Sequence, residues 1–213
     1  MRYDDFRRKY TKWPVVPASY VIKDSGEDPQ AVRNQLSRWA KKGFILSLRK
    51  GLYSFRPEDS GAKTDILYLA NRLYEPSYVS LEFALSLYEI IPEYVPVVTS
   101  VTTRKTLTVK NPSGHFSYQH VTPNAFRGFR QKKMEGESAV LMAEPEKAVL
   151  DFLYLNMRQF GKDLESVLAD SYRFQNLDSL DPKRIDELAR CFNSPKLSRL
   201  ANQLTELVTR QKT

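Results

Sequence analysis

The sequence predicts an α+β protein with two domains, at residues 1–58 and 59–213. Helical periodicity at both ends of the 213-residue chain and β-prone runs in its middle predict the fold class. Linker-type composition from Pro57 to Ala62 predicts the boundary. The formal charge of +8 is uneven, since residues 1–60 hold 13 Lys and Arg against 7 Asp and Glu. We therefore expect a small basic domain followed by a larger, nearly neutral one.

Two short helices and a tight turn are predicted in the first 27 residues. Tyr3, Phe6 and Tyr10 are three and four residues apart, which places them on one side of a first helix. A second helix can begin after Pro17 and run over 18–23. The run from 24 to 27 contains a glycine and other turn residues, so we expect the chain to turn there.

The third helix has the clearest signals. Asp28 is a good N-cap, Pro29 suits the first helical position and Gly43 suits the C-terminal cap, so the helix should run from about 29 to 42. One face of this helix is apolar and must pack on the preceding helices. Its residues are Val32, Leu36, Trp39 and Ala40. The opposite face is polar and basic, with Gln30, Arg33, Asn34, Ser37, Arg38 and Lys41.

A basic hairpin follows this helix. Two β-prone runs, 44–48 and 52–55, flank a turn formed by Arg49, Lys50 and Gly51. Two helices, a turn, a basic helix and a hairpin make up a winged helix-turn-helix. In that fold the third helix enters the major groove, and the hairpin, or wing, lies along the DNA backbone or the minor groove. We predict this fold for residues 1–58.

The polar face of the third helix can read base edges. Arg pairs with guanine and Asn or Gln pairs with adenine, while Ser and Lys are available to phosphates. Such a face taken alone is more often simply solvated, but the capped helix, the basic hairpin turn and the segregated charge together favour DNA. Double-stranded RNA fits less well because its major groove does not admit a helix. The predicted contacts are Gln30, Arg33, Asn34, Ser37, Arg38 and Lys41, with Arg49 and Lys50 on the wing.

Residues 59–213 predict an antiparallel sheet flanked by helices, with a helical C-terminal part. Thr64 and Ser80 can cap helices that end near residues 73 and 88. Strands are predicted at 95–102, 106–109, 115–121 and 138–142, with a turn at 111–114. The pattern is helical from Glu144 onward, with Ala148, Val149, Phe152 and Leu153 on one face. Further helices are predicted near 163–170, 182–191 and 196–210.

The second region carries no clear catalytic signature. His115 and His120 are five residues apart on a predicted strand, so they point to opposite faces and do not suggest a shared metal site. Cys191 has no sequence-local partner that marks a nucleophile, and glycine-rich phosphate loops are absent. Four aromatic residues could stack single-stranded bases but more often supply a core. They are Phe116, Tyr118, Phe126 and Phe129. We expect no enzymatic activity, no metal and no cofactor.

One charged cluster leaves an enzymatic alternative open. A metal-dependent nuclease needs carboxylates beside a lysine, and Glu144, Glu146 and Asp151 stand near Lys147. Pro145 splits the first two carboxylates, however. A helix start with acidic residues in its first turn explains the same residues more simply.

The composition favours a cytoplasmic location. No apolar run approaches the roughly 18 residues needed to cross a membrane, and no apolar segment follows the N-terminal charges. The single cysteine excludes an intrachain disulfide. We therefore expect a cytoplasmic protein without a membrane partner.

Four segments follow one another in a recognisable order. They are KKGFILSLRKGLYSF, YVSLEFALSLYEIIPEYVPVVTSVTTRKT, HFSYQHV and AEPEKAVLDFLYL. This order resembles the AbiEi family, the antitoxin and transcriptional regulator of type IV (abortive infection) toxin-antitoxin systems. The resemblance covers about residues 10–160, and none of the segments is a catalytic signature.

The resemblance implies a winged helix that represses its own operon by binding promoter repeats. Its DNA contacts fall on Arg33, Asn34, Arg38 and Lys41, with wing residues Arg49 and Lys50. The resemblance also implies a second domain that counteracts a nucleotidyltransferase-like toxin, without necessarily forming a stable complex with it. The antitoxin role is implied by the resemblance alone.

Two alternatives stand beside a repressor that is also an antitoxin. The first is a one-component regulator whose second domain binds a small molecule and which has no toxin partner. The second is the metal-dependent nuclease.

Overall fold

The chain folds into an α+β structure, as the sequence predicts. The computed structural model describes residues 1–60, 65–133, 139–160 and 164–212. In these ranges no helix combines the length and apolar content that crossing a membrane requires. The helices are α1 (Tyr3–Tyr10), α2 (Ala18–Ser25), α3 (Pro29–Lys41), α4 (Ile66–Leu73), α5 (Leu81–Leu87), α6 (Pro145–Leu155), α7 (Leu164–Ser166), α8 (Pro182–Arg190) and α9 (Pro195–Gln211). The strands are β1 (Val16–Pro17), β2 (Leu46–Arg49), β3 (Leu52–Ser54), β4 (Ser77–Val79), β5 (Val97–Thr102), β6 (Leu107–Asn111), β7 (Gly114–His120), β8 (Phe129–Lys133) and β9 (Ala139–Ala143).

The N-terminal helices enclose an aromatic core. α1 buries Phe6 and Tyr10, and α3 buries Trp39 beside them. The ring centroid of Phe6 lies 5.0 Å from that of Trp39 and 5.3 Å from that of Phe55, which follows β3. The short strand β1 pairs with β3 and completes a three-stranded sheet in the order β1-β3-β2. β1 is absent from the prediction because two residues cannot show an alternating pattern.

A six-stranded sheet forms the centre of the remaining chain, in the order β6-β7-β5-β4-β9-β8. The prediction of an antiparallel sheet is wrong for two of its neighbours, because β5 pairs with β7 and β4 pairs with β9 in parallel. The hairpin of β6 and β7 turns between Asn111 and Gly114 and folds so that β7, its second strand, lies beside β5. The sequence pattern predicts which residues are extended, but it does not determine which strands pair with each other.

Two strands of this sheet, β4 and β8, are missing from the sequence prediction. All three residues of β4 are buried, so this strand shows no alternation of polar and apolar positions. β8 reads Phe-Arg-Gln-Lys-Lys and lies at an edge of the sheet, where charged side chains are common because they discourage further strand pairing. Neither strand alternates between polar and apolar residues, because β4 is fully buried and β8 is mostly charged.

Two helix starts differ from the prediction. Asp65 caps α4, since its carboxylate accepts a hydrogen bond from the Leu67 amide at 2.6 Å. Ser80 precedes α5 as predicted, but its hydroxyl donates to Asp151 instead of accepting from the helix. The predicted helix near 163–170 is a short α7 that continues into a turn of π-helix, Val167–Ser171.

Some predictions fall outside the described residues. They are the last linker residues at 61–62, the cap Thr64, the first strand residue Ser138, and residue 163.

Helices cover both faces of the six-stranded sheet. Adjacent residues of β4 belong to different cores, since Val79 packs with α4 and Tyr78 packs with α5 and α6. α8 and α9 pack on the far side of α6. Every residue of α6 from Glu146 to Leu153 is therefore buried. The predicted single apolar face of Ala148, Val149, Phe152 and Leu153 is only part of this contact surface.

A buried ion pair lies within α6. The ammonium of Lys147 donates to Asp151 one turn further on, and both side chains are fully buried. The hydroxyls of Tyr78 and Ser80 donate to the other carboxylate oxygen of Asp151 at 2.9 and 2.8 Å. Burial raises the pKa of Asp151 and lowers the pKa of Lys147, and the charge of each partner opposes the shift of the other. Asp151 thus joins β4, the start of α5, and α6.

Lys147→Met should lower the free energy of unfolding by about 3–5 kcal/mol near neutral pH, because the carboxylate of Asp151 is then buried without a cation. The loss should shrink as the pH falls below neutrality. Burial holds the folded-state pKa of Asp151 above its unfolded value, so the folded variant binds more protons and gains stability as the pH decreases. Urea unfolding at several pH values measures both effects.

Two further variants serve as controls. Asp151→Asn added to Lys147→Met should recover most of the loss, because an amide oxygen still accepts from Tyr78 and Ser80. Glu93→Gln removes an exposed ion pair with Arg173 and should cost less than about 1 kcal/mol. A Lys147→Met variant as stable as this surface control would contradict the role assigned to the buried pair.

Candidate nucleic-acid interface

α3 begins and ends where the sequence predicts. The Asp28 carboxylate accepts from the Ala31 amide at 2.7 Å, and Pro29 occupies the first helical position. Beyond the helix, Gly43 has a φ of +76°, which glycine adopts without strain. A Cβ atom at this position would meet only the end of the flexible Arg56 side chain, so the positive φ is the feature that favours glycine here.

α3 has one buried and one exposed face. Val32, Leu36 and Trp39 are buried, and Ala40 is half-buried at the margin of the same core. The exposed residues occupy the face that the sequence predicts to read DNA. They are Gln30, Arg33, Asn34, Ser37, Arg38 and Lys41.

The cations on the exposed face of α3 are not neutralised. Within the described ranges, Arg33, Arg38 and Lys41 form no ion pair with a carboxylate. Exposed cations in this state attract polyanions, and guanidinium groups can make two parallel hydrogen bonds to guanine or phosphate. The face is therefore suited electrostatically to a nucleic-acid backbone and chemically to base edges.

Two amides on this face are already paired with each other. The side-chain amide of Gln30 donates to the carbonyl oxygen of Asn34 at 2.9 Å. This bond leaves the amide nitrogen of Asn34 as a donor and the carbonyl oxygen of Gln30 as an acceptor. One donor beside one acceptor is the combination that adenine requires in the major groove.

The hairpin lies next to the C-terminal half of α3. Lys50 and Gly51 form its turn, and the Gly51 carbonyl accepts from the Ala18 amide at 2.8 Å. A shallow depression of about 300 Å³ separates helix and hairpin. It is lined by Ser37, Ala40, Lys41, Ser47 and Tyr53. Helix and hairpin thus share one surface. The depression also adds Ser47 to the candidate interface. Ser47 is absent from the predicted contacts, although it is exposed next to buried Leu48.

Arg49, predicted as a wing contact to DNA, is engaged in contacts within the protein. Its guanidinium donates to the Leu73 carbonyl at 2.9 Å and lies 4.8 Å from the ring centroid of Tyr74. Leu48 is buried in the core around α4, and its carbonyl accepts from the Asn111 side chain at 3.0 Å. Arg49 therefore anchors the hairpin to the second region and is less free to meet DNA than Lys50, which is exposed.

The carboxylates of the nuclease alternative do not converge. Glu144 is held by Arg184 and Arg130, and the hydrogen bond from Arg184 contributes most to lowering the pKa of Glu144. Glu146 accepts from the Asp181 amide at 2.9 Å, and Asp151 is enclosed with Lys147. Across the described residues, no group of three or more His, Cys, Asp or Glu side chains could hold a metal ion. The cluster predicted from sequence proximity is divided among separate structural contacts.

The two histidines, the cysteine and the four aromatic residues considered in the sequence have contacts within the protein. His115 and His120 are both exposed, and His120 Nδ1 lies 3.0 Å from the Arg104 carbonyl oxygen. Cys191 is half-buried and its thiol donates to the Glu187 carbonyl at 3.6 Å. The aromatic residues contribute to the core, as predicted. Phe116 and Tyr118 are buried, while Phe126 and Phe129 pack on Tyr78 with ring centroids 5.1 and 4.6 Å away.

No model of a known protein family matches the chain, and a search of curated proteins finds no match.

Arg49→Gln should lower the free energy of unfolding by about 1–2 kcal/mol, because it removes the bond to the Leu73 carbonyl and the cation–π contact with Tyr74. Lys50→Gln, at the next position in the chain, is the matched control and should change stability by less than about 0.5 kcal/mol. Urea unfolding of both variants measures the difference. If both substitutions change the free energy of unfolding by the same small amount, Arg49 does not anchor the hairpin.

Proposed function

We propose that this chain is a cytoplasmic, sequence-specific DNA-binding regulator, with residues 1–58 acting as a winged helix-turn-helix. The proposal rests on one observation. α3 presents an exposed face with three cations that have no acidic partner among the described residues, beside a hairpin whose turn carries the exposed Lys50. An enzymatic role is not proposed, because the described carboxylates do not converge on one site.

The dimensions of α3 support this proposal. Its 13 residues extend over about 20 Å, and the major groove of B-DNA is wide enough to admit one helix. α2 precedes it across a turn at Gly26, and the hairpin of β2 and β3 follows it. A helix-turn-helix followed by a hairpin is the arrangement in which the second of the two helices reads bases. Arg33, Asn34 and Arg38 are then the base-reading residues, and Lys41 and Lys50 contact phosphates.

The biological context of the proposal comes from the sequence resemblance. A member of the AbiEi family represses its own operon by binding promoter repeats and opposes a nucleotidyltransferase-like toxin. We extend both roles to this chain as proposals, with double-stranded promoter DNA as the direct partner and the toxin as a functional partner that need not form a stable complex. Co-expression with a nucleotidyltransferase-like toxin tests the second role, since growth should recover only when this chain is present.

A gel-shift titration tests DNA binding directly. The full chain is titrated against its own upstream DNA and against a scrambled duplex of equal length, at two salt concentrations. Preference for the upstream DNA that persists at the higher salt supports sequence-specific regulation, because the electrostatic contribution weakens with salt for both duplexes. Equal binding to the two duplexes would leave the α3 face as a non-specific surface.

Arg33→Ala should weaken binding to the specific site by about 1–3 kcal/mol if its guanidinium reads a base. Binding to the scrambled duplex should change much less, so the ratio of the two affinities falls. Arg199→Ala, which removes an exposed arginine from α9, is the control and should leave both affinities unchanged. Equal losses on both duplexes would make Arg33 a phosphate contact.

Lys50→Ala should weaken binding to all duplexes alike and reduce the slope of log affinity against log salt by about one unit, because one phosphate contact is lost. Titrations at four or more salt concentrations give the slope. An unchanged slope would remove the hairpin turn from the interface.

A further inference from the structure

A second basic surface lies outside the candidate DNA interface, at the loop between β5 and β6. The loop borders an open depression of about 680 Å³. Its lining is Tyr74, Thr103, Arg104, Lys105, Thr106 and His120. None of these side chains is a carboxylate, and the lining combines two cations, an imidazole, a phenol and two threonine hydroxyls. These are the side chains that bind phosphate groups in proteins.

The two cations of the depression lack acidic partners. Arg104 and Lys105 are exposed, and neither forms an ion pair with a described carboxylate. Glu75 lies beside Tyr74 in the chain, but its carboxylate is paired with Arg72 at 2.6 Å. The local positive charge is therefore available to an anionic ligand.

Several contacts hold the loop in place. The guanidinium of Arg104 donates to the Glu75 carbonyl at 3.1 Å and lies 4.5 Å from the ring centroid of Tyr74. The Tyr74 hydroxyl donates to the Lys105 carbonyl at 3.0 Å. His120 Nδ1 is bonded to the Arg104 carbonyl oxygen, so Nδ1 carries the hydrogen. Most donors of the guanidinium remain open although the loop backbone is fixed, which lowers the ordering cost of binding.

We propose that this depression binds the phosphate group of a small phosphorylated molecule. The guanidinium of Arg104 and the ammonium of Lys105 supply the charge, and the hydroxyls of Thr103 and Thr106 supply neutral donors. The ring of Tyr74 is already in contact with Arg49, Arg104 and Tyr118, so it is not free to stack on an aromatic base. The depression therefore recognises the phosphate group of the ligand. The site does not depend on the proposed DNA-binding function.

The site is linked to the hairpin through Tyr74. Arg49, which anchors the hairpin, and Arg104, which lines the depression, contact the same ring at 4.8 and 4.5 Å. Two guanidinium groups on one ring repel each other, and a bound phosphate beside Arg104 reduces this repulsion. Phosphate binding therefore stabilises the contact between Arg49 and Tyr74 and holds the hairpin more firmly on the second region.

Isothermal titration of the full chain with inorganic pyrophosphate, at constant ionic strength, tests the site. Saturable binding is expected. The double variant Arg104→Gln, Lys105→Gln should lose at least about tenfold in affinity, which corresponds to 1.4 kcal/mol. The variant Lys196→Gln, Arg199→Gln removes two exposed cations from α9 and should bind as the unchanged chain does. No saturable binding, or equal losses in the two variants, would overturn the proposal.

Two further measurements make the outcome specific. Titration with a short DNA duplex in place of pyrophosphate identifies the source of the phosphate. If the Arg104 and Lys105 variant loses affinity for the duplex alone, the loop contacts the DNA backbone and the proposed small-molecule site is refuted. Hydrogen exchange tests the link to the hairpin, since pyrophosphate should slow exchange of the Ala18 amide, which donates to Gly51. Unchanged exchange at saturating pyrophosphate would refute the link.

Discussion

The enclosure of Asp151 is the constraint on which the second region depends. Taking a carboxylate out of water is costly, and this one is stabilised by the ammonium of Lys147 and by two hydroxyls from elsewhere in the chain. These partners come from the same helix, the central strand β4 and the residue before α5. Few arrangements of the three elements satisfy the carboxylate, so the position of α6 on the sheet is narrowly defined. α8 and α9 then pack on α6, and α4 covers the opposite face of the sheet.

The parts of the fold that local chemistry determines could be predicted from the sequence. α3 is predicted almost to the residue, because an N-cap at Asp28, a proline at 29 and a glycine at 43 act within one turn of the helix ends. The parallel strand pairs, the short β4 and the full burial of α6 could not be predicted, because each depends on residues far away in the chain. The same limit explains why Glu144, Glu146 and Asp151, close in sequence, have separate partners in the structure.

The candidate DNA surface shows the same division between local and distant effects. On α3 the helical period alone separates buried from exposed residues, so the six polar positions chosen from the sequence are all exposed. In the hairpin, two adjacent cations have the same local pattern but different surroundings. Arg49 lies against Leu73 and Tyr74, whereas Lys50 faces solvent. Only the packing of the hairpin on α4 distinguishes a structural arginine from a lysine that is free to meet a ligand.

The burial of Val15 and Leu48 in the same core as α4 ties residues 1–58 to the rest of the chain. A segment joined only by a free linker can be replaced without uncovering apolar side chains elsewhere. Here a cut between residues 58 and 59 leaves both apolar side chains without their cover and leaves Arg49 without its carbonyl and its ring. Substitution on the exposed face of α3 therefore alters the candidate surface at a smaller structural cost than replacement of residues 1–58 as a whole.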